Sequence, residues 1–217
     1  MKNRKPEQSI AKPYIVSIDM GSPKRGSFGW CDNRKRKEKG SHDVDELLKL
    51  LLEKNYFAMG IEAPLFIPVR PNALKDFSGK RDFESDHPWS AGAGACVTSI
   101  NLGFLASLLA QIHEKNPDIA VTTDIEAWKA RKDNCILIWE SFISGKSGTS
   151  TKDSSHLDDA HEALRLFTAK SENAFEHLPC AQYLNLPLVI AKEVGMKTLP
   201  SSEMLVVKGT KPSSTDE

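Results

Sequence analysis

Asp19 closes an apolar run, YIVSIDMGS (14–22), and Glu62 stands near the end of a second, YFAMGIEAP (56–64). Three more acids, Asp158, Asp159 and Glu162, cluster in HLDDAHEALRLFTAK (156–170). Strand interiors are depleted in Asp, and burying an unpaired carboxylate costs several kcal/mol even after relaxation. A carboxylate at the end of a strand built for burial is therefore a turn residue at the sheet edge, or a group held ready for a proton or cation. Carboxylate oxygens are hard donors, and several gathered together suit Mg²⁺ or Mn²⁺. A pair of such ions ~3.5–4 Å apart stabilises both attacking and leaving oxygens of an in-line displacement at phosphorus. Taken singly, each acid has a plainer explanation in surface or capping duty. Their joint pattern is what points to a metal centre.

Side chains alternate across a strand, so Asp19 shares a face with Ile15 and Ser17, and Glu62 shares one with Ala58 and Gly60. If the two strands are parallel neighbours joined through the intervening helix, their C-terminal ends lie side by side. Ligands bind at that edge in open α/β sheets. Two carboxylates meeting there repel, so one takes up a proton or a cation sits between them. In the late helix, at about 100° per residue, Leu157, Ala160, Leu164 and Phe167 fall on one side. Asp159 lies nearest the boundary of this apolar stripe and ranks first. Asp158 has a capping explanation, with Ser155 as N-cap, and acids in a first turn are favoured by the helix dipole. Glu162 ranks third.

Further polar residues carry two readings each. His161 could accept a proton or be simply solvated. Glu140 could add a fourth acid or cap a loop. His87 and Trp89 could stack on a base or pack a loop. The RKRK run at 34–37 could contact phosphates or be a solvated turn.

These residues need elements to hold them. The turn-rich PKRGSF link between the first strand and FGWCD (28–32) predicts an antiparallel hairpin. SHDVDELLKLLLEKN (41–55) reads as a helix, with Asp43 and Glu46 resembling a capping box. Residues 56–64 form the next strand. Residues 65–95 show no sustained periodicity, and loops of that length are usually functional or disordered. A strongly apolar helix follows over about 96–114, then a short helix in DIEAWKARKDN, a strand at 135–143, a linker at 145–155, the acidic helix, a helix in LPLVIAKEVG and a last strand at 204–208. This order predicts an α/β fold with a central mixed β-sheet. The expected organisation is a single domain over 14–208 between flexible tails at 1–13 and 209–217.

Lys+Arg and Asp+Glu balance at 29 each, so no global field announces a polyanionic partner, although local patches could serve one. Cys31, Cys96, Cys135 and Cys180 form no CxxC pair, which reads as reduced core or near-core thiols in a cytoplasmic protein. No apolar run reaches the ~18 residues of a membrane span, and the charged start lacks the apolar stretch of a signal peptide. Exposed residues of the 96–114 helix offer a surface for pairing two copies as a homodimer, although that helix is first of all core.

VSIDMGSPKRGSFGW (16–30), GIEAPLF (60–66), ILIWESF (136–142) and SSHLDDAHEALRLFTA (154–169) together resemble the ribonuclease-H-like superfamily, which includes Holliday-junction resolvases. More narrowly they resemble a branch of predicted nucleases of that fold whose function is not established. The resemblance covers about residues 14–208 and implies helices on both faces of the sheet and a nucleic-acid substrate. It also implies metal binding by Asp19, Glu62 and Asp159 or Asp158, with Glu162 where the motif often has Asp. The Gly-rich stretch in DHPWSAGAGACV (86–97) departs from the better-known nucleases and is consistent with a site-covering loop. IDMGS with a Gly-containing hairpin also resembles the first phosphate loop of actin-like ATPases and sugar kinases, but no second such loop follows. A non-catalytic binding module on the same fold is the remaining alternative.

Overall fold

The computed structural model describes residues 13–20, 28–34, 40–69, 80–84, 93–143, 156–169 and 172–209. Ten strands and five α-helices are found among them. β1 (Tyr14–Asp19) and β2 (Gly29–Asp32) pair antiparallel, as the short link predicts. Ser41 adds an isolated antiparallel bridge to Trp30, on the outer side of β2. α1 (Val44–Leu52) starts because the Asp43 side chain accepts the Asp45 and Glu46 N–H groups, satisfying donors the helix leaves open. Its Leu47 and Leu51 then bury against the sheet. The helix delivers the chain to β3 (Tyr56–Glu62), which lies parallel to β1 with Asp19 opposite Glu62.

After β4 (Phe66–Pro68) come α2 (Ala93–Lys115), β5 (Ala120–Thr122), α3 (Ile125–Arg131) and β6 (Cys135–Phe142). The chain continues with α4 (His156–Ala169), β7 (Phe175–Pro179), β8 (Tyr183–Asn185), α5 (Leu186–Glu193), β9 (Lys197–Thr198) and β10 (Glu203–Lys208). The main sheet runs β2-β1-β3-β6-β10-β7. β6 is parallel to β3 on one side; on its other side β5 pairs with its first residues and β10 with its last. The sheet is thus mixed and mostly parallel, with antiparallel β2 and β7 at its two ends. β4 and β8 form a separate antiparallel pair.

Alternation divides the sheet into two faces, each covered by helices. On one, Val16, Ile18, Met59, Ile61, Ile136, Ile138 and Val206 pack with side chains of α1, α2 and α5. On the other, Ala58, Leu137, Trp139, Leu205 and Val207 pack with Trp128 of α3 and with Ala163, Leu166 and Phe167 of α4. Trp139 stacks on Phe167 with centroids 4.6 Å apart, an arrangement contributing about 0.5–1.5 kcal/mol beyond its burial.

Several expectations change. The aperiodic stretch 65–95 contains β4, a turn at Lys80–Glu84 whose Arg81 and Glu84 are buried, and the start of α2. Gly209 is not tail: it is buried and donates its N–H to Phe142 O. Cys96 is an exposed rather than a core thiol, and none of the four cysteines is in a disulfide. α2 is by length and composition apolar enough to cross a membrane, with a window of mean hydropathy 1.6. Thr98, Ser99 and Asn101 interrupt its apolar residues, so no long unbroken apolar run marks it in the sequence. In the fold, its Leu105, Leu108, Leu109 and Ile112 lie in the sheet's core cluster. His87, Trp89, Ser155 and most of the 34–37 basic run lie outside the described residues. Arg34, the described part of that run, sits over the Tyr14 ring.

Candidate metal centre

Two strand ends and one helix build the site. Asp19 and Glu62 are in register on parallel neighbours, so their side chains leave the same face at the same edge. α4 lies across that face and supplies the third acid. Its approach is close: a Cβ on Gly29 would sit 2.8 Å from the His156 carbonyl carbon and the Leu157 nitrogen. One row below the acids, Gly60 leaves room for the Trp139 indole, whose ring carbons would lie 2.2 Å from a Cβ there. Glycine at both places lets helix and sheet come together over the strand ends.

Asp19, Glu62 and Asp159 meet there. Each offers an oxygen within 4.8 Å of the others', and the three residues are 5 %, 1 % and 7 % exposed. These are the acids the sequence ranks first. Glu62 Oε1 accepts the Ile143 N–H at 3.3 Å, tying it to the end of β6. Asp19 Oδ2 lies 2.6 Å from His156 Nδ1, whose side chain is 40 % exposed. Burial first, then the Asp159 charge, push the Asp19 carboxyl up to about 8.

The other expected site residues do not join the cluster. Asp158 is exposed, one residue and a large rotation away on the helix surface. Glu162 is held by Arg165, with both carboxylate oxygens accepting at 2.7 Å. It belongs to a surface ion pair rather than to the acid cluster. Glu140 stands in register with Ile61, hence on the opposite face from Glu62, and pairs with Arg81. It is not a fourth acid of the centre. His156, rather than His161, meets Asp19. That contact had a signal in the sequence: His156 precedes Asp159 by three residues, which places both on one helix flank, whereas His161 follows by two.

Oxygen donors on one octahedral ion with ~2.1 Å bonds lie about 3–4.2 Å apart. The three acids, each with an oxygen within 4.8 Å of the others', lie close to that range. Like charges so near otherwise keep a proton, as the raised Asp19 value reflects. The donor set, three buried carboxylates and no thiolate, fits a hard divalent cation. Compared with protein-family models, curated proteins and solved structures, the chain matches none.

Proposed function

We propose that the protein is a metal-dependent nuclease of ribonuclease-H-like fold, hydrolysing phosphodiester bonds with Mg²⁺ or Mn²⁺ at Asp19, Glu62 and Asp159. The observation that carries this reading is the convergence of three acids, 43 and 97 residues apart in sequence, on one buried spot. The antiparallel hairpin followed by parallel strands, with acids ending β1 and β3 and a third in a late helix, supports this reading. Asp19, Glu62 and Asp159 would hold the divalent ion, which would supply charge stabilisation at the scissile phosphate and activation of the attacking water.

The chain's own groups have distinct tasks. Asp19, whose carboxyl burial and the Asp159 charge push up to about 8, would release its proton to hold a cation. Glu62 is oriented by the Ile143 N–H. Asp159 is set by the seating of α4 on Gly29. His156 holds Asp19 through Nδ1 and, being partly exposed, can exchange a proton between Asp19 and solvent.

The test is cleavage of single-stranded and duplex DNA, RNA and RNA–DNA hybrid with Mg²⁺ or Mn²⁺. Turnover that requires the ion and disappears in Asp19→Asn supports the assignment. Turnover that Asp19→Asn leaves intact rejects it. Metal binding without turnover on any of these substrates points to the non-catalytic module.

A further inference from the structure

The face of the sheet opposite the acids carries a second ionic cluster. Arg81, Glu84 and Glu140 are buried there, Arg81 and Glu140 fully. Arg81 Nε donates to Glu84 at 2.8 Å, and its Nη1 sits between both Glu140 oxygens, 2.6 and 2.7 Å away. The Arg81 guanidinium also lies over the Phe83 ring, 4.7 Å from its centroid. Glu140 Oε2 accepts one more bond, from the Leu65 N–H at 2.9 Å.

That last bond forms half of a reciprocal lock. Leu65 is the third residue after Glu62, and Ile143 the third after Glu140. Glu140 of β6 holds the Leu65 N–H, while Glu62 of β3 holds the Ile143 N–H. Each strand therefore carries, at or near its C-terminal end, a glutamate that ties down the backbone leaving its neighbour, one from each face of the sheet. A buried N–H left without an acceptor costs about 1–3 kcal/mol, so the two bonds restrict where both strand ends can go. The Glu62 side chain is tied to the Ile143 N–H, and the backbone three residues beyond it is tied to Glu140.

We propose that Glu140 and Arg81 are positioning residues for the metal centre: they fix the end of β3 from behind the sheet and so set the Glu62 carboxylate. This rests on the metal-site reading above for its effect on affinity, and on the lock alone for its effect on the backbone. Arg81 keeps Glu140 in place by charge and by two short contacts. Groups that orient ligands indirectly usually matter about 10–100-fold in metal affinity.

Glu140→Leu is the direct probe, because it leaves Arg81 and Glu84 as a neutral pair while removing the acceptor of Leu65. Mn²⁺ affinity by calorimetry and amide exchange at Leu65 and Ile143 are read on the full chain, with circular dichroism as the check on folding. The expected result is faster exchange at both amides and ~10-fold weaker Mn²⁺ binding. Glu140→Gln, whose amide oxygen still accepts, recovers most of both. Exchange accelerated at Leu65 alone overturns the lock, whether or not metal binds. Unchanged Mn²⁺ affinity in Glu140→Leu overturns the positioning role and leaves the metal centre standing. Absence of Mn²⁺ binding in the wild-type protein removes the metal reading, while the exchange data still decide the lock. Should Glu140→Leu not fold, Arg81→Met with Glu84→Gln frees Glu140 and is read by the same two amides and the same titration.

Discussion

Asp19 and Glu62 stand opposite each other in the parallel register of β1 and β3. Two carboxylates are thereby fixed at one edge of the sheet with no freedom to separate, and α4 adds Asp159 to them. Such a grouping is tolerable with a proton or a cation in its midst, and each behaviour below follows from exchanging one for the other.

The Asp19 carboxyl, pushed up to about 8 by burial and then by Asp159, sits near ~3.9 in the unfolded chain. Between these values the metal-free fold holds a proton that the unfolded chain has released. Its contribution to stability is complete below the unfolded value and is lost as pH rises through about 8. Melting curves in a chelator should therefore fall from about pH 5 to about pH 8.5. Each kcal/mol lost amounts to roughly 2–4 °C at this chain length. Asp19→Asn, with no proton to release, should flatten the profile.

Gly29 and Gly60 separate seating from packing. Gly29→Ala forces a methyl against the His156–Leu157 backbone, so α4 must shift and carry Asp159 with it. Mn²⁺ affinity should drop by ~10-fold or more, seen by calorimetry. Gly60→Ala meets the Trp139 ring instead. Overpacking of this kind costs about 1–3 kcal/mol, and urea denaturation should register it chiefly as lost stability.

His156→Ala removes the partner of Asp19 without removing a carboxylate from the cluster. Mn²⁺ binding should survive within a few-fold. Cleavage should fall by ~10²-fold, the usual size of a proton-transfer contribution. Single-turnover rates at saturating metal measure this.

Much of the architecture can be read from the chain because the pattern is local. Alternation in Tyr14–Asp19 and Tyr56–Glu62 places their acids on one face, and the apolar stripe of α4 leaves Asp159 at its buried border. β5 and β9, with three and two residues, are too short to show a period. β7 lies at the sheet's end with one buried residue, Leu178, so its hydrophobic signal is faint. The face of Glu140 depends on the pairing of Ile61 with it, a register that no stretch of β6 encodes alone. Arg81 was equally hidden: its partner Glu140 lies 59 residues away, and the loop around it has no periodicity to mark one buried cation.

Calorimetric titration of Mn²⁺ into the wild-type protein and into Asp19→Asn, Glu62→Gln and Asp159→Asn tests the metal centre most directly, with Asp158→Asn and Glu162→Gln as controls. Binding in the wild type that is abolished or severely weakened by each of the first three changes, and left within a few-fold by the two controls, is the predicted result. Wild-type protein that takes up no Mn²⁺, or binding that persists at full strength when those three carboxylates are neutralised one at a time, would contradict it.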